Sequence, residues 1–251
     1  MSTEAFFQAG RNCDSVRHAD RFSLLIDGAD YFRVLREAIT RAQCTMFILG
    51  WDINSRMSGA SRFRSHRAMT DNDPWPPSHT MDLENVDIAI SLTEPVFSGR
   101  PGLQQIRQQY LDAIALLKRS IYIENQYFTA GSIGGALRET LENPDGPDLA
   151  IAIAIAIAAQ AERLAPENDN GGLRVRLHGL LTQADVHDPY RLMSPSVPEF
   201  ETACVNVHSK LTLVDDDLLR VELANLNIRS MTKATRGRGR TATQARASVV
   251  A

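Results

Sequence analysis

"GLQQIRQQYLDAIALLKRSIYIENQYF" spans residues 102–128, and its reading sets the fold class. Residues 102–118 have the spacing of an amphipathic helix. Residues 120–128 read as a strand that ends in polar residues, Glu124, Asn125 and Gln126. The same step occurs earlier in the chain. "AITRAQCTMFI" (38–48) aligns without gaps with "AIALLKRSIYI" (113–123) at an offset of 75, and its strand closes on "GWD" at 50–52. A helix leading through a polar joint into a strand, met twice, has two readings: chance similarity of two helix–strand units, the identity being low, or, the sharper one, a duplicated half-domain. The halves are unequal: His208 lies 82 positions after Gln126, whereas only about fifty residues separate Trp51 from the second helix.

Outward from this stretch, strands and helices alternate. Strands are expected at 22–27, 44–53, 86–92, in the "AIAIAIA" repeat of the apolar run 149–159, and at 173–181 and 203–214, and helices at 27–43 (with Asp27 or Asp30 as N-cap) and 132–142. Residues 54–84, rich in Ser, Arg, Asp and Pro, read as loop. "AIAIAIA" is apolar on both faces, as a central parallel strand should be. The pattern predicts an α/β fold with a mostly parallel sheet flanked by helices, built from incomplete duplicated half-domains.

The bulk properties exclude several classes. With 43% hydrophobic and 23% charged residues the chain can bury a core. A net charge of −3 gives no general pull toward nucleic acid or anionic membranes. The five basic residues after Thr232 (Lys233, Arg236, Arg238, Arg240, Arg246) have no acid among them. This tail, "TKATRGRGRTATQARASVVA", is low in complexity and is expected to be disordered. Three scattered cysteines, Cys13, Cys44 and Cys204, suggest neither a disulfide framework nor a zinc site, and Cys44 and Cys204 border apolar strands. The N-terminus carries acids and no long apolar stretch, so no signal peptide is expected. The longest apolar run, at 149–159, is too short for a bilayer, which needs about 20 residues. A cytoplasmic protein, in peripheral contact with a membrane at most, is the expectation.

The chemistry concentrates in "VHSKLTLVDD" at 207–216. In a strand His208 and Lys210 would share a face, and Leu211 and Leu213 would enter the core. Asp215 has the other parity, so the chain must turn at "DDD" (215–217). A His beside a Lys suits a phosphate: Lys supplies a permanent charge and His serves as nucleophile or acid. Asn225 and Asn227, just beyond, add amide donors where negative charge develops. No metal cluster is visible, and no cofactor is required.

These residues resemble the phospholipase D superfamily, whose signature is His-x-Lys-x4-Asp, six residues, then Gly-Ser-x-Asn. Here His208, Lys210 and Asp215 are followed after six residues by Glu222-Leu223-Ala224-Asn225. "IYIENQYFT" (121–129), "LLIDGADYFRVLREAITRAQCTMFILGWDI" (24–53) and "DIAISLTEPVFSGRP" (87–101) also look like segments of its bacterial two-motif members. The resemblance covers roughly residues 10–131 and 200–231. It implies a phosphodiesterase that hydrolyses or transfers phosphatidyl groups of phospholipids. His208 would be the second-motif general acid, Lys210 and Asn225 phosphate holders, and Asp215 a support. Asn227, Glu124, Asn125 and Gln126 would lie on the substrate side.

The first motif of the pair is missing. His66, with Asp73 at i+7, has Ala at position 68 and no strand around it. Structural or surface roles are expected for His18, His79, His178 and His187. Glu222 and Leu223 replace Gly and Ser, and Glu222 is placed to crowd an anion or to pair with Lys210. Three readings follow: a homodimeric phosphodiesterase with His208 from each chain, a catalytically impaired remnant, or a single-motif homodimeric nuclease. Nucleic acid is the less expected partner. The chain divides on this reading into a first-half remnant (1–85), a linker strand and second half (86–231), and the tail (232–251).

Overall fold

The computed structural model describes residues 6–25, 28–42, 73, 75–94, 96, 101–143, 150–155, 170–193, 195, 209–222, 225–231 and 244–250. His208, His66, Cys44, Cys204, Asp27 and the strand expected at 44–53 lie outside them. The chain forms two compact units, residues 18–86 and residues 1–17 with 87–251. It passes between them within β1 (Ser15–Phe22) and β2 (Leu83–Glu94).

In the smaller unit, helix α1 (Gly28–Arg41) buries Val34. The strand expected at 22–27 ends at Phe22 instead. Asp82 is the cause: its Oδ2 accepts the Ser23 hydroxyl at 2.7 Å and the Leu24 N–H at 2.8 Å. A side chain that captures a backbone donor offers the chain an alternative to the ladder. Asp73 organises a second set of contacts. Arg21 forms a two-pronged pair with its carboxylate, and Arg41 Nη2 donates to its carbonyl at 3.0 Å. The Arg21 guanidinium also stacks on Trp75, 5.1 Å from the ring centre.

The larger unit is built on one sheet in the order β2–β9–β8–β7–β4–β5–β6, with β3 (Leu103–Gln104) added to β2. Its strands are β4 (Ser120–Asn125), β5 (Ala150–Ile155), β6 (Tyr190–Met193), β7 (Leu211–Val214), β8 (Leu218–Val221) and β9 (Gln244–Val250). Among the described residues of this sheet, β4, β5 and β6 are parallel neighbours; β7 runs antiparallel to β4, β8 to β7, and β9 to both β8 and β2. The expected mostly parallel sheet is therefore corrected to a mixed one in which antiparallel pairings predominate. The reason lies in the connections. β7 and β8 are joined by Asp215–Asp217 alone, and so short a link permits only an antiparallel pair. Asp215 and Asp216 have φ of 54° and 62°, the left-handed conformation that a tight hairpin demands and Asp tolerates better than most residues.

Helices α2 (Gln105–Ala115), α3 (Gly131–Leu141) and α4 (Asn170–Ala184) and the short α5 (Ile228–Met231) complete the unit. Tyr110, Ala113 and Ile114 of α2, Ile133 and Leu137 of α3, and Ile121 and Ile123 of β4 share one buried core with Phe6, Phe7 and Phe128.

Two further expectations change. Residues 173–181, "LRVRLHGLL", alternate like a strand but lie within α4. Leu177, Leu181 and Ala184 are buried whereas Val175 is 67% exposed. The i, i+4, i+7 set faces the core, and the alternation is incidental. The C-terminal segment expected to be structureless contributes β9, pairing Asp87–Thr93 with Val250–Gln244. "QARASVV" contains neither Gly nor Pro, and the Gly- and Arg-rich stretch lies before it.

Gly134 on α3 meets α4 closely: a Cβ there would run into the Leu177 side chain, with Cγ at 2.7 Å. Leu177→Ala is expected to cost about 2–5 kcal/mol, and Gly134→Ala to be destabilising alone but milder when combined with Leu177→Ala. A denaturant-unfolding double-mutant cycle with additive energies would refute this contact. In the smaller unit the Arg21 hydrogen bond, first, and the Trp75 N–H lower the Asp73 pKa to about 2. A lowered carboxylate contributes stability at neutral pH that is lost as pH falls from about 4 toward 2. NMR titration of Asp73 should show that low midpoint, and Arg21→Gln should restore an ordinary one.

Candidate active site

Strand register decides which of the chemically interesting residues meet. β4 buries Ile121, Ile123 and Asn125 on one face and turns Tyr122 and Glu124 to the other. β7 pairs Ile123 with Thr212 and Ile121 with Val214. β8 pairs Thr212 with Arg220 and Val214 with Leu218. One step further along, the Glu222 N–H donates to the Lys210 carbonyl at 2.8 Å. The next row across β4, β7 and β8 is thus Asn125, Lys210 and Glu222, all on the buried face. Their exposures are 1%, 6% and 7%.

The row beneath fixes its electrostatics. Arg220 is fully buried, with its guanidinium 3.6 Å above the Tyr110 ring centre. Its Nε donates to Gln109 Oε1 at 2.9 Å, and its Nη2 lies 3.2 Å from Glu222 Oε1. The Tyr110 hydroxyl shares a hydrogen bond of 3.1 Å with Thr212 Oγ1. Burial, and then the negative charge of Glu222, push the Tyr110 hydroxyl far above its ordinary pKa, so it stays neutral. Thr212 and Val214, not Leu211 and Leu213, are the fully buried positions of β7. The expected parity of that strand is reversed because the polar row, with Lys210, belongs to the face packed under α2.

Asp215 has a mechanical task. Its Oδ2 accepts the Lys118 N–H at 2.7 Å, and its Oδ1 accepts those of Arg119 and Ser120 at 2.7 and 2.8 Å. Its own N–H donates to the Ser120 carbonyl at 2.9 Å. The β7–β8 turn is so clasped to the start of β4. Asn125 performs the matching task at the other end: its Oδ1 accepts the Tyr127 and Leu226 N–H groups at 3.1 Å each. Thr129 and Ala130 N–H groups in turn donate to the Leu226 carbonyl. Asn227 Oδ1 accepts the Ser230 N–H at 2.8 Å and so caps α5.

Of the expected site residues, Lys210 and Asn125 share a row, and the Asn125–Leu226 bond brings Asn225 beside it. The Asn225 Oδ1 and Asn125 Nδ2 are buried without a hydrogen-bond partner. Glu124 lies on the opposite face, where it accepts the Ser209 hydroxyl and, at 3.0 Å, the Tyr122 hydroxyl. Burial and this carboxylate push the Tyr122 pKa up to about 12. Gln126, half-buried, follows at the strand end. Sequence reasoning missed Arg220, Tyr110, Thr212 and Gln109. The available signal was Arg220 in the otherwise apolar "LLRV", at the parity of Glu222.

No family model and no curated protein matches the chain. Among solved structures it is similar to the phospholipase D family member Nuc from Salmonella typhimurium, with 16% identity over 65% of this chain and 82% of that one, TM-score 0.43. NucT from Helicobacter pylori gives 12% identity over 65% and 86%, TM-score 0.40. Phosphatidylserine synthase from Haemophilus influenzae gives 14% identity over 68% and 36%, TM-score 0.43.

Asp215→Ala removes an acceptor from three backbone N–H groups and is expected to cost at least about 3 kcal/mol. Asp215→Asn, which keeps one oxygen, should cost less. Equal denaturation midpoints for wild type and Asp215→Ala would contradict the clasp.

Proposed function

We propose that the protein is a phosphodiesterase of the histidine-dependent type, acting on the phosphodiester of phospholipids by hydrolysis or transfer. The observation that carries the reading is the burial of Lys210 at the end of β7, in one row with Asn125 and clasped in place through Asp215. Lys210 is two positions from His208 in sequence. A lysine held there can meet a phosphoryl oxygen without reorganising, which makes such a charge effective.

The chain carries one His-x-Lys pattern, so two copies supply two histidines. One His208 attacks phosphorus through a ring nitrogen and forms the N–P bond. The P–O bond to the alcohol breaks, and His208 of the second copy gives its proton to the departing oxygen. Water or another alcohol then attacks phosphorus, the N–P bond breaks, and the second histidine takes up the proton it needs for the next cycle. A cytoplasmic protein in peripheral contact with the membrane suits this substrate. Among the described residues no helix is long and apolar enough to cross a bilayer.

A second reading, a chain of the same ancestry with impaired turnover, is favoured by one feature: the buried Glu222 carboxylate in the Lys210 row.

Turnover of a chromogenic phosphodiester, with oligomeric state recorded, separates the two. On the first reading His208→Ala lowers kcat by at least about 100-fold, the lower end of general acid–base effects, and a phosphohistidine can be trapped. A stable monomer with neither turnover nor trapped intermediate overturns it. Cleavage of nucleic acid without cleavage of phospholipid assigns the substrate elsewhere.

A further inference from the structure

We infer that the cavity beside Ser23 and His79 in the smaller unit is a binding site for a small aromatic alcohol, whose ring packs on the apolar wall and whose hydroxyl donates to the His79–Ser23 pair. The inference goes beyond the phosphodiesterase reading: it uses other residues, and its test involves no turnover.

The cavity has a volume of about 310 Å³. That lies at the lower end of the range of about 300–1,000 Å³ for small-molecule sites, and it suits a single ring better than a larger ligand. Phe22, Leu25, Val34 and Ala38 supply an apolar wall, and Trp75 adds an aromatic side chain. Ser23 and His79 also border the cavity, so a few polar atoms meet a mostly apolar space, as ligand sites require.

The positions of the protons set what those polar atoms can do. Ser23 Oγ lies 2.7 Å from Asp82 Oδ2 and 2.5 Å from His79 Nε2. The Ser23 hydroxyl, first, and the Leu24 N–H hold the Asp82 carboxyl below its ordinary pKa, so it is ionised at neutral pH. An ionised carboxylate only accepts, and it therefore takes the one proton that Ser23 has. The proton of the His79–Ser23 bond must then come from the ring, with Nε2–H donating to Oγ. A neutral imidazole carries a single N–H, so Nδ1 is left as an acceptor, and no described residue donates to it. Ser23 Oγ retains one lone pair as well. The two side chains thus offer acceptors and have spent their donors on each other and on Asp82.

Arg21, also on the border, is committed to a two-pronged pair with Asp73 and to the Trp75 ring. Its charge is balanced before any ligand arrives. A hydroxyl supplies the donor that His79 and Ser23 lack. A carboxylate brings no donor and adds its charge to that of Asp82, and a hydrocarbon of the same shape leaves the acceptors unmet.

The test uses the full chain and three probes of one shape: 4-methylphenol, toluene and 4-methylbenzoate. The Trp75 indole N–H donates to the His79 carbonyl at 2.8 Å, so its NMR signal reports on the site. Trp75→Phe assigns that signal against the one of Trp51. In the wild type 4-methylphenol is expected to shift it saturably and to bind at least about threefold tighter than either other probe, within the net worth of one hydrogen bond. His79→Phe keeps a ring and removes the acceptor; it is expected to abolish the advantage of the phenol over toluene, with circular dichroism checking the fold. No saturable shift with 4-methylphenol, or equal affinity for toluene or 4-methylbenzoate, overturns the inference, as does an advantage of the phenol that persists in folded His79→Phe. Should that variant not fold, the wild type decides: the His79 Nδ1 nitrogen signal must move on saturation with 4-methylphenol, and a signal that stays put overturns the inference.

Discussion

The clasp between Asp215 and the start of β4 is the constraint on which the rest of the larger unit depends. A single carboxylate accepts three consecutive backbone N–H groups, from Lys118 to Ser120. Those groups run from the loop after α2 to Ser120, the first residue of β4, and their bonds to Asp215 are part-buried. Backbone donors taken partly out of water need acceptors. Asp215 satisfies all three from a hairpin turn nearly a hundred residues away in sequence. It sets the register of β7 against β4, and through β7 that of β8. A shift of one position would turn every side chain of β7 to the other face and take Lys210 out of its row.

The polar row so aligned is costly to bury. Arg220, Glu222 and Lys210 are each almost wholly removed from water, and such groups are held only by one another and by hydrogen bonds. Arg220 has the Tyr110 ring, the Gln109 carbonyl and the Glu222 carboxylate. Apolar residues of the same size would pack there at less cost.

The helix–strand step at 102–128 was legible because local spacing reports a period of 3.6 followed by one of 2, and tertiary context agrees with both. Local spacing misled at 173–181. Alternation and helical spacing coexist in "LRVRLHGLL", and the decision falls to Leu177, which packs against Gly134 on another helix. The segment at 244–250 misled in the opposite sense. Its seven residues hold little information alone, and a strand there exists because β2 and β8 offer it two open edges. Parity of β7 was misread for a related reason. Leu is the better core residue by hydropathy, but Thr212 takes the buried face because Tyr110 supplies a hydrogen bond for its hydroxyl.

By itself the sequence determined the chemical character of this protein: a His, a Lys and an Asp at set spacing within an apolar strand, with amides to follow. Spacing carries that much because chemistry needs particular residue types. It also showed that one such set is present and not two. Strand parity alone puts Glu124 and Asn125 on opposite faces and Arg220 on the side of Glu222; the tertiary structure decided which of those faces is buried. It alone decided that Asp215 is an anchor, because that role depends on hydrogen bonds between residues nearly a hundred positions apart, and no local pattern of residues encodes a contact of that kind.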